Sequence, residues 1–238
     1  MSDFVLGIDI GGTNTKIGLV NKQGEVLGET SFLTQANNGV EAFLLELKKE
    51  AMLIMSDKKV LGIGVGAPNT SHYEGTMIMP TNIRWGERVE LQKLISNTFE
   101  LPTVVTNDAS AAAVGEMNFG AAKGMKNFVA FTLGTGLGSG IVVDGKVVYG
   151  HTGLAGEIGH VSVNPDGRYC GCGRRGCLET YVSATGLRKT VFKLMADYAR
   201  PSVLRDISYN DMTSERITEA AIEHDYIAIK AFEYTGRI

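Results

Sequence analysis

Two glycine-rich loops, GIDIGGTNTK at residues 7–16 and GTGLGSG at 134–140, constrain this chain more than any other feature. Each lies between two β-type runs: FVLGIDI and TKIGLVN flank the first, NFVAFTL and GIVVDG the second. A P-loop needs Gly-Lys-Ser/Thr ahead of a helix, and a Rossmann turn needs strand, glycines, then helix. Neither pattern is present, so both loops read as turns inside β-hairpins. Bare backbone N–H groups at such turns can surround phosphate oxygens without a helix dipole. One such loop is as readily a mere turn. Two of them, each opening a β-meander and the first flanked by Asp9 and Thr13, favour a phosphate site.

Helical patterns follow each meander. Apolar residues recur at helical spacing over 39–55 and 90–99, with strands at 59–68 and 102–108 and an alanine-rich helix over 109–120. After the second meander comes a Gly- and Cys-rich loop region, 150–178. Helical patterns at 179–199 and 214–238 close the chain. The repeated order predicts an α/β protein of two related domains with a cleft between them, residues 1–115 and 116–238. At about 150 residues per domain, 238 residues allow one large domain or two small ones.

The chain carries 30 glycines but only five prolines, and the glycines sit between apolar strands. That composition points to tight turns and close backbone approaches, not to disorder. A net charge of −3 gives no basic surface for nucleic acid or an anionic membrane. The first apolar run is too short for a signal peptide or a membrane span. The expectation is a soluble cytoplasmic protein without nucleic-acid or membrane partners.

All three cysteines fall in CGCGRRGCLE, residues 170–179. An odd number excludes a complete intramolecular disulfide set, and a Cys170–Cys172 bridge would close a strained ring. Clustered cysteines in a cytoplasmic chain more often bind metal or catalyse. Cys170, Cys172 and Cys177 with His160 make a Cys₃His set suited to structural zinc. Reactive or buried thiols are the alternative. Asn107 and Asp108, between a strand and a helix, read by themselves as a helix N-cap. Trp85 reads as core or hinge packing.

These motifs resemble a known superfamily. DIGGTNTK looks like the first phosphate motif of the sugar kinase, actin and Hsp70 superfamily, and LGTGLGSG like its second. Within it, GEIGH (156–160) and CGCGRRGCLE closely match the signature of the ROK family, which includes sugar kinases and repressors. The likeness runs from residue 4 to about residue 190. It implies two actin-like (ribonuclease H-like) domains and an ATP-dependent hexose kinase, glucose first, serving carbohydrate metabolism through glycolysis. It implies Asp108 as general base. Asn82, Asn107, Asp108, Glu157, His160 and Glu179 become sugar contacts. Asp9, Gly11, Gly12, Thr13 and Lys16, with Gly134, Thr135, Gly136 and Gly138, become ATP contacts, Asp9 near Mg²⁺. His160, Cys170, Cys172 and Cys177 become ligands of a structural Zn²⁺. A homodimer is the expected assembly.

Asn69 stands in GAPN where the family often has Gly. Family members also continue beyond a segment like AFEYTGRI, so a truncated second domain is expected, with 216–234 a helix lacking partners. N-acetylhexosamine and fructose remain alternative substrates, and a catalytically impaired sugar-binding fragment an alternative function. A sugar-sensing regulator would carry a DNA-binding segment ahead of the first strand, where only three residues stand.

Overall fold

A computed structural model describes residues 3–79 and 83–238. Strands β1 (Phe4–Ile10), β2 (Asn14–Asn21) and β3 (Val26–Leu33) form the first meander. Helix α1 (Val40–Met55) leads to β4 (Val60–Gly66). Three short strands follow, β5 (Thr70–Ser71), β6 (Thr76–Ile78) and β7 (Arg88–Val89), and pair in a small sheet of their own. Then come α2 (Leu91–Phe99), β8 (Thr103–Thr106) and α3 (Asp108–Phe119).

The main sheet has the order β3-β2-β1-β4-β8, with β1, β4 and β8 parallel and the meander antiparallel. Alternation explains which face is covered. Leu6, Ile8 and Ile10 of β1, Ile17 and Leu19 of β2, and Ile63 and Val65 of β4 all point to one side and are buried. Phe43 and Leu47 of α1 and Leu91 and Ile95 of α2 join the same cluster. Trp85 belongs there too, its ring 4.4 Å from that of Phe43, so the core-packing reading of that residue is the correct one.

The second meander comprises β9 (Phe128–Leu133), β10 (Leu137–Val143) and β11 (Lys146–Val147). β10 starts inside GTGLGSG, so the turn is Gly134–Gly136 and Gly138 lies on a strand. Gly140 shows why glycine continues into the strand. A Cβ there would lie 2.5 Å from Ala113 Cβ and 2.7 Å from Ala109 O, so its absence lets β10 reach α3.

Beyond this point the helices are shorter than periodicity predicts. The pattern over 179–199 divides into α4 (Glu179–Val182) and α5 (Ala184–Asp197), because Ser183 turns extended and caps α5 by accepting from Gly186 N. The run expected as one helix over 216–234 is two, α6 (Ser214–Ile222) and α7 (Tyr226–Arg237). His224 takes φ 60° and Asp225 caps α7, accepting from Ile227 N and Ala228 N at 2.9 and 3.1 Å. These helices find partners on one face, while Ile222, Phe232 and Tyr234 stay exposed as expected. Ile217, Ala220, Ile227, Ala228 and Ala231 are buried with Leu187 and Val191 of α5, Leu204 and Met212.

By compactness the described residues up to Ala130, with Ser139–Gly156, form one unit. Phe131–Gly138 with Glu157–Ile238 form the other. The close approach of Gly140 to α3, the Ser71 Oγ bond to Thr152 O and the stacking of Tyr149 on His72 all fall within the first unit. The division near residue 115 concerns two related halves of the sequence, and for that it stays a proposal.

Candidate functional site

In the first unit the candidate residues gather at the carboxyl ends of the parallel strands. Asp9, Gly66 and Thr106 are register partners across β1, β4 and β8, and Asn107 and Asp108 follow Thr106 directly. Ligands of open α/β sheets bind at such carboxyl ends. Gly66 makes the corner possible: a Cβ there would lie 3.3 Å from both Asp108 Cα and Ala111 Cβ.

Asn107 caps α3, its Oδ1 accepting from Ala109 N at 2.9 Å and Ser110 N at 3.3 Å. Asp108 is the first helical residue, exposed, with Oδ1 accepting from Ala109 N at 2.8 Å. The cap reading of Asn107 therefore holds, and it leaves Asp108 presenting a carboxylate at the strand ends. Asp9 presents area to solvent, yet surrounding protein withdraws enough water to raise its carboxyl above the usual range. The charge of Asp108 raises it further and Lys16 opposes. Lys16 faces Asp9 across the β1–β2 hairpin as its register partner.

The GGTN turn is pinned from β3's end. Thr34 Oγ1 donates to Gly11 O at 2.7 Å, Thr34 N donates to Thr13 O at 2.9 Å, and Gly11 N donates to Asn14 O at 3.0 Å. Gly11, Gly12 and Thr13 thus sit in one fixed turn beside Asp9. Thr34 belongs to no motif, and only its place after β3 could have signalled it. Asn82 lies outside the described residues.

In the second unit, His160, Cys170, Cys172 and Cys177 place all four ligand atoms within 4.8 Å of one another. Cys170 Sγ lies 3.5 Å from His160 Nδ1, and Cys172 Sγ 3.7 Å from Cys177 Sγ. Zinc–sulfur and zinc–nitrogen bonds of about 2.3 and 2.0 Å give tetrahedral edges of about 3.5–3.8 Å. The cluster therefore fits a structural zinc. The thiols agree with that. Burial opposes ionisation of Cys172, but hydrogen bonds from Arg174 and the other thiols outweigh it and bring the thiol down to about 6. Burial pushes Cys170 up to about 12 and also raises Cys177. Burial thus disfavours ionisation of two of the three thiols, and a cation bound among them would favour it.

The loop that carries these ligands needs its glycines. Gly176 has φ 71°, and a Cβ there would fall 1.6 Å from Asn164 O. With Nδ1 turned to the thiols, His160 Nε2 lies 3.9 Å from Glu157 Oε2 on the 3₁₀ turn Ile158–His160. Glu179 opens α4. Its Oε2 accepts from Leu137 N at 3.0 Å, while Oε1 lies 3.8 Å from Cys170 Sγ. Glu157, His160 and Glu179 are thus brought to one loop system, and Glu179 also meets the second glycine turn, Gly134–Gly136. Sequence reasoning missed Arg168. Its Nη1 donates to Thr180 O and Gly186 O at 2.7 and 2.9 Å, its Nη2 to Thr190 Oγ1 at 2.9 Å. Burial lowers its pKa, and Tyr181 lies under the guanidinium. No spacing signals an arginine whose partners are mostly backbone carbonyls.

The family model described as ROK family matches residues 5–238. The chain belongs to the ROK family. It is 34% identical to a glucokinase of Halalkalibacterium halodurans over 98% of this chain and 73% of that protein. It is also 32% identical to the xylose repressor of Caldicellulosiruptor bescii, over 92% of this chain and 56% of the repressor. Among solved structures, the ROK glucokinase of Streptomyces griseus in complex with glucose and AMPPNP superposes with a TM-score of 0.85 at 33% identity. That match covers 98% of this chain and 76% of the other. The chain thus spans between 56% and 76% of the lengths of these proteins. The ROK chain shares the α/β fold expected of actin-like, ribonuclease H-like domains. Among the described residues, no helix is long and apolar enough to cross a membrane.

Proposed function

We propose that this ROK protein is an ATP-dependent sugar kinase that phosphorylates a hexose, glucose first. The observation that carries the reading is that Asp9, near the carboxyl end of β1, and Asp108, just after β8, lie at the same end of the parallel strands β1, β4 and β8 and feel each other's charge, in a chain whose relatives include glucokinases. Asp108 is the general base. It takes the proton of the attacking sugar hydroxyl as that oxygen bonds to the γ-phosphorus and the bond to the bridging oxygen breaks, releasing ADP. Asp9 would hold Mg²⁺, and the ion would neutralise phosphate charge. The turn at Gly11, Gly12 and Thr13, with Lys16, faces one part of the phosphate chain. The turn at Gly134, Thr135 and Gly136, with Gly138 behind it, faces another.

Glu157, His160 and Glu179 accept and donate hydrogen bonds with the sugar hydroxyls, as Asn107 and Asn82 do. Ionised carboxylates accept two hydroxyl hydrogen bonds well. The Cys₃His set holds zinc structurally, since four protein ligands leave no open position. The working protein is a cytoplasmic homodimer acting at the entry of sugar into glycolysis. N-acetylhexosamines and fructose are the competing substrates.

The test is ADP release with Mg-ATP across hexoses and N-acetylhexosamines, with Asp108→Asn beside the parent. Turnover on glucose should fall at least about a hundredfold in the variant. Turnover that survives it removes Asp108 as base. The likeness to a xylose repressor supports a second reading, a sugar-responsive regulator. Sugar binding without ADP release in every sugar tested would favour it.

A further inference from the structure

We propose that Glu179 is a positioning residue for the second glycine turn, a strut through which the cysteine loop sets the conformation of Gly134–Leu137. As a statement about nucleotide it rests on the kinase reading above; as a statement about the turn it does not.

Glu179 sits two residues after Cys177 and begins α4. Its carboxylate reaches back across 42 residues of sequence to accept the Leu137 amide at 3.0 Å. A backbone N–H bound to a carboxylate is a charge-assisted bond, stronger than one to a neutral acceptor. The same carboxylate lies where position 136 would carry a side chain: a Cβ on Gly136 would be 2.4 Å from Glu179 Oε2. Gly136 does not take a left-handed φ. A side chain at position 136 would therefore have to displace this carboxylate from where it now lies.

The turn is closed at its other points. Gly134 N donates to Gly136 O at 3.1 Å, and Ala184 N, at the start of α5, donates to Gly134 O at 2.9 Å. So α4 and α5 hold both ends of the turn, one by a side chain and one by an amide. On the far side of Glu179 lies Cys170 Sγ, 3.8 Å from Oε1. Cys170 is buried and belongs to the ligand cluster. One carboxylate therefore touches the cluster with one oxygen and the turn with the other. A side chain placed only to meet sugar hydroxyls would need neither contact.

Amide hydrogen exchange at Leu137 in the zinc-loaded full chain tests the strut without nucleotide. Glu179→Ala should lower Leu137 protection by about ten- to a hundredfold. Glu179→Gln keeps an acceptor oxygen and should hold protection within a few-fold of the parent. Gly136→Ala leaves the cysteine loop's composition intact and should also lower Leu137 protection, by pushing the carboxylate aside. In the Glu179→Ala background it should add nothing further. Unchanged Leu137 protection in Glu179→Ala, or in Gly136→Ala should the first variant fail to fold, overturns the strut.

AMPPNP titration without sugar separates the two layers. Weaker AMPPNP binding in Glu179→Ala but not in Glu179→Gln, with glucose binding weakened in both, joins the strut to the nucleotide. Lost Leu137 protection with AMPPNP affinity unmoved keeps the strut and removes this turn from the phosphate site.

Discussion

Asp9, proposed above to act near Mg²⁺, sits where its charge is disfavoured by the fold. Partial withdrawal of water and the charge of Asp108 raise its carboxyl above the ordinary value of 3.8. The folded chain therefore keeps this proton over a pH window in which the unfolded chain has lost it. Fewer protons bound in the unfolded state means that stability falls as pH rises through that window, and stays lower above it. Asp9→Asn has no such titration. The variant should melt at a higher temperature than the parent at pH 7, with the difference closing as pH drops towards 3.8. A difference independent of pH would show that the carboxylate is not the cause. In the kinase assay the same variant should be nearly inactive, a stability–activity trade of the usual kind.

Arg168 belongs to the same scale with the opposite sign. Its half-buried guanidinium holds three acceptors on α4 and α5 at fixed angles, and lysine cannot reproduce a planar fork. Arg168→Lys should cost about 2 kcal/mol in urea unfolding, with loss of protection concentrated at the start of α5. A cost near zero would mean that water replaces the fork without penalty.

Among the elements, the cysteine loop is the one whose order depends on something other than apolar burial. Residues 161–166 and 171–175 are exposed, so the four ligand residues and a set of hydrogen bonds, such as Val163 N to Gly176 O and Leu178 N to Val161 O, tie the strand-poor stretch together in place of an apolar core. Metal analysis of purified protein should find about one zinc per chain. Removing it with a strong chelator should raise amide exchange across 158–178 while leaving α6 and α7 protected, because their buried apolar residues pack with α5, Leu204 and Met212. Melting of α7 together with the loop would contradict that separation.

The elements also show what a sequence displays and what it hides. Strands β1, β2 and β4 and helices α1 and α2 were legible because their apolar periods are unbroken. The Cys₃His set was legible because its spacing has few other uses. The breaks at Ser183 and at His224–Asp225 were not. Both fall inside runs whose apolar period continues across the break, and the interruption comes from side-chain caps that compete with the helix for backbone N–H groups. Strands β5 to β7 escaped because two or three residues are too few to show alternation. The Glu179 contact with Leu137 joins positions 42 residues apart, and no local pattern records such a pairing.

At the scale of the whole molecule, the two apolar clusters share no residue. One gathers β1, β2, β4, α1 and α2; the other gathers α5, α6 and α7 with Leu204 and Met212. Each is built around side chains with no exposure at all, Leu47 and Phe43's neighbours in the first, Val191 and Ile217 in the second. Truncating a buried leucine or isoleucine to alanine costs about 2–5 kcal/mol, because the cavity is only partly refilled. If the clusters are separate cooperative units, that loss stays local. Leu47→Ala should lower exchange protection throughout β1, β2 and β4 and leave α5 and α7 as in the parent. Ile217→Ala should do the reverse. Denaturant unfolding followed by Trp85 fluorescence, which reports the first cluster alone, should then move its midpoint in Leu47→Ala but not in Ile217→Ala. Equal shifts in both variants would mean that the chain unfolds as one body. Sugar binding to the folded chain would then raise the unfolding midpoint reported by Trp85 as much as that of the cysteine loop.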